Sequence, residues 1–170
     1  MTKQDLLENQ VNLIYIGIGS NLGNRLNNIE LAKSYLHSYG VKIIQTSSYY
    51  ESLSWPNPKK PKFLNIIMSI KSNLQPNELL EILKKIEKNL GRKRSKKNYP
   101  RECDIDIVDY KKMIINGHIT SPHKRMHKRN FVLFPLYELN KRWFHPKLKV
   151  NIKKLIFSLS IKDISSIKQI

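Results

Sequence analysis

Asp104 and Asp106 stand two apart in the run Cys103-Asp104-Ile105-Asp106-Ile107, and Pro100-Arg101 leads into it. Side chains alternate along a β-strand, so the two acids share one face while Cys103, Ile105 and Ile107 pack on the other. Two carboxylates one strand repeat apart repel each other. Keeping both ionised in a cleft calls for cations, which Mg²⁺, a lover of oxygen ligands, and Arg101 both supply. Such a pair serves metal-assisted phosphoryl chemistry, although an Asp-x-Asp also suits the solvated face of a half-exposed sheet. Asp is disfavoured in strands, so two in a well-patterned one ask for a compensating role. The preceding stretch carries Arg92, Lys93, Arg94, Lys96 and Lys97 after Gly91. Cations facing anions across a metal describe a polyphosphate site, whereas the same charge run read alone is a solvated basic turn.

Other residues invite double readings. Trp55, Phe63 and Phe131 are ordinary core aromatics, or the faces between which a flat heterocycle is sandwiched. Trp55 sits among Pro56, Pro58 and Pro61, where a core role is awkward, and Phe63 precedes Asn65, an amide in an apolar strand able to read a ring edge. Glu87, one turn before Gly91, is an ion-pair partner or a helix-surface acid. His123, after Pro122, reads first as a capped loop histidine. Gly17-Ile18-Gly19-Ser20-Asn21-Leu22-Gly23 is not a dinucleotide fingerprint, because its third glycine comes one residue late; a tight turn after a strand accounts for it better, with Asn21 aimed toward a site.

The elements that must position these residues follow from periodicity. A strand over 13–19 ends in a turn, Asn24 caps a helix over 25–39 that Gly40 closes, and a strand follows over 41–50. Prolines impose a loop over 51–61, long enough for a lid. A strand over 63–71 precedes a helix that opens at Pro76 and stops at Gly91, then comes a strand over 102–110 and a hairpin through 111–117. A helix over 129–140 and an amphipathic stretch over 150–159 complete the chain. The expected fold is α+β: a ferredoxin-like βαββαβ core, an antiparallel-rich sheet with helices on one face, and C-terminal additions.

The 170 residues suit a single domain spanning 1–170 with its core at about 12–158. The 31 Lys+Arg against 13 Asp+Glu, a formal +18, attract anions of any kind. Lys, Ile and Asn recur at merely exposed positions too, so the cluster at 92–101 says more than the total. One cysteine excludes an internal disulfide, no Cys/His cluster suggests zinc, and the first ten residues hold no long apolar segment; a cytoplasmic protein without membrane association is expected.

Taken in order, Ile16-Gly-Ile-Gly-Ser-Asn-Leu-Gly23, Phe63-Leu-Asn65, Gly91-Arg-x-Arg94, Pro100-Arg-x-x-Asp-Ile-Asp106, Pro122-His123 and Arg129-x-Phe131 resemble the 6-hydroxymethyl-7,8-dihydropterin pyrophosphokinase family over roughly 12–158. The resemblance implies transfer of pyrophosphate from ATP to the pterin hydroxymethyl, giving AMP and the pterin diphosphate, in folate biosynthesis. It implies that Asp104 and Asp106 hold two Mg²⁺ ions and that Arg92 and Arg101 engage the phosphates. Ser52, Leu53, Trp55, Phe63, Asn65 and Phe131 would form the pterin pocket. Glu87, Arg92, Arg94, Ile107, Thr120, His123 and Arg129 would bind ATP. The family's loop tryptophan is absent, with Tyr99 the candidate substitute, and Pro56 stands near a usual glycine. A monomer acting on small molecules, without nucleic acid, is expected.

The competing reading is an RNA-binding module, which shares the element order and the basicity. Its aromatic strand signature is missing, and acids on the central strand would repel phosphate without metal.

Overall fold

The computed structural model describes residues 13–92 and 99–170. Its elements are β1 (Ile14–Ser20), α1 (Arg25–Ser38), β2 (Lys42–Thr46), β3 (Tyr50–Ser52), β4 (Phe63–Lys71), α2 (Pro76–Asn89), β5 (Asp104–Tyr110), α3 (Asn130–Leu139), β6 (Phe144–His145), β7 (Val150–Asn151), α4 (Ile152–Phe157), α5 (Ile161–Ser165) and β8 (Lys168–Gln169). Local signals set most boundaries. The Asn24 side chain accepts from the Asn27 amide to cap α1, and Gly40 and Gly91, at φ +74° and +95°, end α1 and α2 in a conformation that a side chain resists.

The main sheet runs β5-β1-β4-β3-β8, with β2 also on β4, and every pairing is antiparallel. This is the βαββαβ arrangement, with three differences from the periodicity reading. The strand expected over 41–50 is two strands, because the backbone steps out at Ser47, whose amide and hydroxyl bond Ile67 before β3 resumes. No hairpin follows β5: Lys111 and Lys112 turn at φ 51° and 56°, and only an isolated bridge joins Ile115 to Ser121. Helices also cover both faces rather than one.

On one face α1 and α2 bury Ile29, Leu36, Leu79, Leu83 and Ile86 against Ile16, Ile18, Ile105 and Met68. Cys103 fills space in this core, as its position opposite the acids implied, and burial pushes its thiol up to about 12. On the other face Leu133, Leu136, Trp143 and Ile152 pack on Tyr15, Ile67 and Val108. That second layer stops there. The part of the same face carrying Gly17, Gly19, Asn65, Asp104 and Asp106 is left open as a cleft.

A bulge marks the division. Tyr15 opposes Asp109 but Ile16 opposes Ile107, so Val108 is the extra residue and Asp109 turns into the second core. There Trp143 Nε1 and the Lys112 amide donate to it at 2.8 and 3.1 Å. Burial pushes the Asp109 carboxyl from 3.8 up to about 6, only partly offset by those bonds. An acid whose folded pKa is raised binds more protons folded than unfolded, so its contribution to stability falls as pH rises from 3.8 through 6. Urea titrations are expected to show Asp109→Asn lacking a decline of up to about 3 kcal/mol across that window. At low pH the variant should be the weaker protein, since the amide NH2 that replaces one carboxyl oxygen cannot accept the bond made there.

C-terminal residues add to the sheet: β8 pairs with β3, and the Ile170 amide donates to Tyr49. Among the described residues no helix is long and apolar enough to cross a membrane.

Candidate functional site

Strand register builds the floor of the cleft. Gly19 lies between Asp104 on one neighbour and Asn65 on the other, and Gly17 lies between Asp106 and Ile67. Gly17 and Gly19 are strand residues, as the strand expected over 13–19 has them, and of this motif's glycines only Gly23, at φ +66°, needs a turn conformation. The lack of a side chain at 17 and 19 opens the space. A Cβ on Gly19 would stand 3.0 Å from Asn65 Oδ1 and 3.1 Å from Phe63 Cδ1. Gly19→Ala is thus expected to shift the ring and amide and weaken binding of a flat ligand beside them by roughly tenfold, leaving anion binding at the arginines unchanged; a ten-fold change matches the lower end of overpacking costs. Equal weakening of both would contradict this.

The cleft measures about 1050 Å³. At its charged end Arg92 Nη1 donates to Asp104 Oδ1 at 2.7 Å and Arg101 Nη2 to Asp104 Oδ2 at 2.6 Å. Arg129 Nη1 meets Asp106 Oδ2 at 3.1 Å, with His123 Nε2 at 3.9 Å from the same oxygen. Desolvation in the cleft pushes the Asp106 carboxyl up, but His123 and Arg129 outweigh it and hold it below the usual carboxylate range. Burial keeps the His123 imidazole below its ordinary range, helped by Arg129 and Arg125 and opposed by Asp106. Among the described residues the buried Nε atoms of Arg101 and Arg129 have no partner, so each guanidinium keeps a donor available for an anion.

Glu87 resolves in favour of an ion pair. It is 2% exposed, and it pairs with Arg92 and Lys84 while its Oε1 accepts from the Ile105 amide at 2.7 Å. That amide lies on the free edge of β5, so Glu87 both satisfies the edge and aims Arg92. Burial raises the Glu87 carboxyl despite Lys84 and the Ile105 amide.

At the other end stand Trp55, Phe63, Phe131 and Asn65. Asn65 Nδ2 donates to Tyr50 O at 3.2 Å and Ser52 Oγ at 3.0 Å, which fixes the amide's orientation. The aromatic faces carry guanidiniums: Arg101 lies 5.5 Å from the Phe63 centroid, and Arg129 lies 5.5 Å from both Phe131 and Trp55. A flat ring and a guanidinium compete for such surfaces.

The structure therefore gathers Asp104, Asp106, Arg92, Arg101, Arg129, His123, Glu87, Trp55, Phe63, Asn65 and Phe131 around one space. Ser52 and Leu53 are set back, Ser52 reaching the cleft through Asn65. Thr120 does not line it, and Ile107 turns its side chain into the core, as strand alternation from Asp106 requires. Arg94 lies outside the described residues. Tyr99 does not line the cleft either; it is 47% exposed beneath Lys60, whose Nζ is 4.1 Å from its ring. Asn21 faces the loops rather than the cleft, bonding Ser54, Pro61 and the Arg101 amide. Sequence reasoning passed over Lys84 and Arg125, which line the cleft. Their signals were weak: Lys84 is one turn from Glu87, and Arg125 is two residues past His123.

Two carboxylates with no group of three acidic, His or Cys side chains among the described residues match the chemistry of Mg²⁺, which takes one or two carboxylates and completes its shell with phosphate and water.

A family model described as 7,8-dihydro-6-hydroxymethylpterin-pyrophosphokinase (HPPK) matches residues 15–141. A 2-amino-4-hydroxy-6-hydroxymethyldihydropteridine pyrophosphokinase from Aquifex aeolicus is 38% identical over 142 residues, 83% of this chain and 88% of that protein. The folate synthesis bifunctional protein of Arabidopsis thaliana is 41% identical over 74% of this chain, which spans only 26% of it. Among solved structures, a Plasmodium falciparum HPPK-DHPS with pterin and p-hydroxybenzoate superposes with a TM-score of 0.73 at 15% identity, covering 93% of this chain and 47% of that one. Sequence pattern and fold agree with these likenesses.

Proposed function

The chain belongs to the 7,8-dihydro-6-hydroxymethylpterin-pyrophosphokinase family, and from that premise we propose how its own residues perform the reaction. The protein transfers pyrophosphate from ATP to the hydroxymethyl group of 6-hydroxymethyl-7,8-dihydropterin, yielding AMP and the pterin diphosphate in folate biosynthesis. The RNA-binding alternative finds no support in the family match or the relatives.

The observation that carries the residue-level reading is one cleft with strand carboxylates and arginines at one end and an amide among aromatic faces at the other. The pterin would enter the slot of Phe63, Phe131 and Trp55, displacing guanidiniums from the ring faces while the oriented Asn65 amide reads its edge. The triphosphate would draw Arg92, Arg101 and Arg129 away from the acids, using the open Nε donors as well. Asp104 and Asp106, released from those arginines, would hold two Mg²⁺ ions. Magnesium supplies neutralisation of the phosphate oxygens and a template for in-line displacement. His123, kept neutral by burial, can accept from or donate to the phosphates without adding charge. Arg92, which keeps Glu87 as its partner, would with Arg101 and Arg129 stabilise charge that shifts toward the departing AMP. We further infer a cytoplasmic monomer that needs no nucleic acid.

Incubating the protein with Mg²⁺, ATP and the hydroxymethyl dihydropterin is expected to release AMP with one pterin diphosphate per turnover. Formation of ADP, or no nucleotide cleavage at micromolar enzyme, would overturn the reading.

A further inference from the structure

Trp55 is the only aromatic side chain of the 53–62 loop, and at 37% exposed it has little of the core around it. What lies over its indole is cationic. The Arg125 guanidinium carbon is 4.9 Å from the ring centroid and that of Arg129 is 5.5 Å. The two arginines are held differently. Arg129 is bonded to Asp106 and also lies against Phe131, so it belongs to the charged end of the cleft. Arg125 makes no ion pair among the described residues. Its backbone is anchored, since the Arg125 amide donates to His123 Nδ1 at 3.2 Å, and both Arg125 and Trp55 line the cleft.

We propose that Arg125 is a positioning residue for the pterin end of the site: its guanidinium stacks on Trp55 and holds the loop's aromatic face at the mouth of the slot. This rests on the function assigned above and adds a residue to it. When ATP draws Arg129 toward phosphate, Arg125 remains as the cation that keeps the indole in place. A planar guanidinium stacks on an aromatic face and carries charge at once; an ammonium keeps only the charge, and a thioether of similar length keeps neither. The graded series Arg, Lys, Met at position 125 therefore separates stacking from bulk.

The test pairs kinetics with fluorescence. Arg125→Met is expected to raise the pterin KM by about two- to fivefold, the range of an exposed cation–π contact, with kcat and the ATP KM unchanged and Arg125→Lys in between. Acrylamide quenching supplies a readout independent of turnover. Trp143 is fully buried, so quenchable emission reports Trp55, a premise checked by its loss in Trp55→Phe. Without substrate, Arg125→Met should be quenched more steeply than the parent. A raised ATP KM with an unaltered pterin KM would make Arg125 a phosphate ligand and overturn the proposal. Unaltered quenching would overturn it too, as would steeper quenching with no change in the pterin KM. If the parent releases no AMP but the quenching series behaves as stated, the enzymatic reading fails while the stacking of Arg125 on Trp55 stands.

Discussion

Replacing Asp106 with Ala is expected to leave a folded protein that has lost turnover, with kcat down on the order of 10³-fold or more. The asymmetry between fold and activity follows from where the side chain sits. Asp106 projects from β5 into the cleft with its side chain 38% exposed. Its strand neighbours Ile105 and Ile107 do the core packing. Removing the carboxylate leaves His123 and Arg129, whose side chain is only 11% exposed, without their anion, a cost of about 1–2 kcal/mol that the exposure of Asp106 itself keeps below that of a fully buried pair. On the proposed function the chemistry is lost, since one of the two carboxylates that would hold magnesium goes with it. Asp106→Asn sharpens the result. It keeps an oxygen for Arg129 but lacks the charge that binds a metal, and it should be nearly as inactive. Melting temperatures within a few degrees of the parent and AMP release at background would meet the expectation; near-parental AMP release in either variant would remove Asp106 from the site.

The second large effect is at Arg92, where Arg92→Ala is expected to cost both stability and rate. Glu87 is buried and loses its closest cation, although Lys84 and the Ile105 amide remain. Breaking a fully buried pair costs about 3–5 kcal/mol, and because Arg92 is 30% exposed and Lys84 persists, roughly 2 kcal/mol is expected here. The rate should fall by about 10²- to 10³-fold, the loss typical of a donor aimed at developing charge. The pH dependence has a defined sign. Burial already raises the Glu87 carboxyl, and losing Arg92 raises it further, so the variant's deficit should shrink as pH falls and Glu87 takes up a proton. A double variant, Arg92→Ala with Glu87→Gln, separates the two roles: the buried charge is gone, so stability should recover while activity does not. Recovery of both would show that Arg92 acts only through the fold.

Much of this site was legible in the chain because its logic is local. Asp104 and Asp106 share a strand face by alternation alone, Cys103 and Ile105 go the other way, and Gly40, Gly91 and Asn24 punctuate helices by their own backbone chemistry. Gly17 and Gly19 were legible as strand residues, but the reason for glycine was not: at position 19 it is Phe63 and Asn65 on the neighbouring strand, and no inspection of residues 17–19 shows that neighbour. Glu87 stayed ambiguous because its burial depends on β5 lying beside α2. The absent hairpin after β5 likewise reflects the segment around Ser121 and His123, whose bonds to Tyr110 and Val108 take the edge a returning strand would have used.

What the sequence by itself determined was chemistry: which side chains carry charge, which alternate onto one face, and the ordered set of motifs that marks the family. What only the tertiary structure decided was company. Antiparallel register set Gly17 and Gly19 beside the acids, with Asn65 across from Gly19, and the second helical layer halted at Tyr15, Ile67 and Val108, leaving the cleft uncovered. Two guanidiniums, from Arg125 and Arg129, were laid against Trp55, some seventy residues away along the chain. Residue type and period act within a few positions, whereas register and layer coverage arise only when distant segments compete for the same surface.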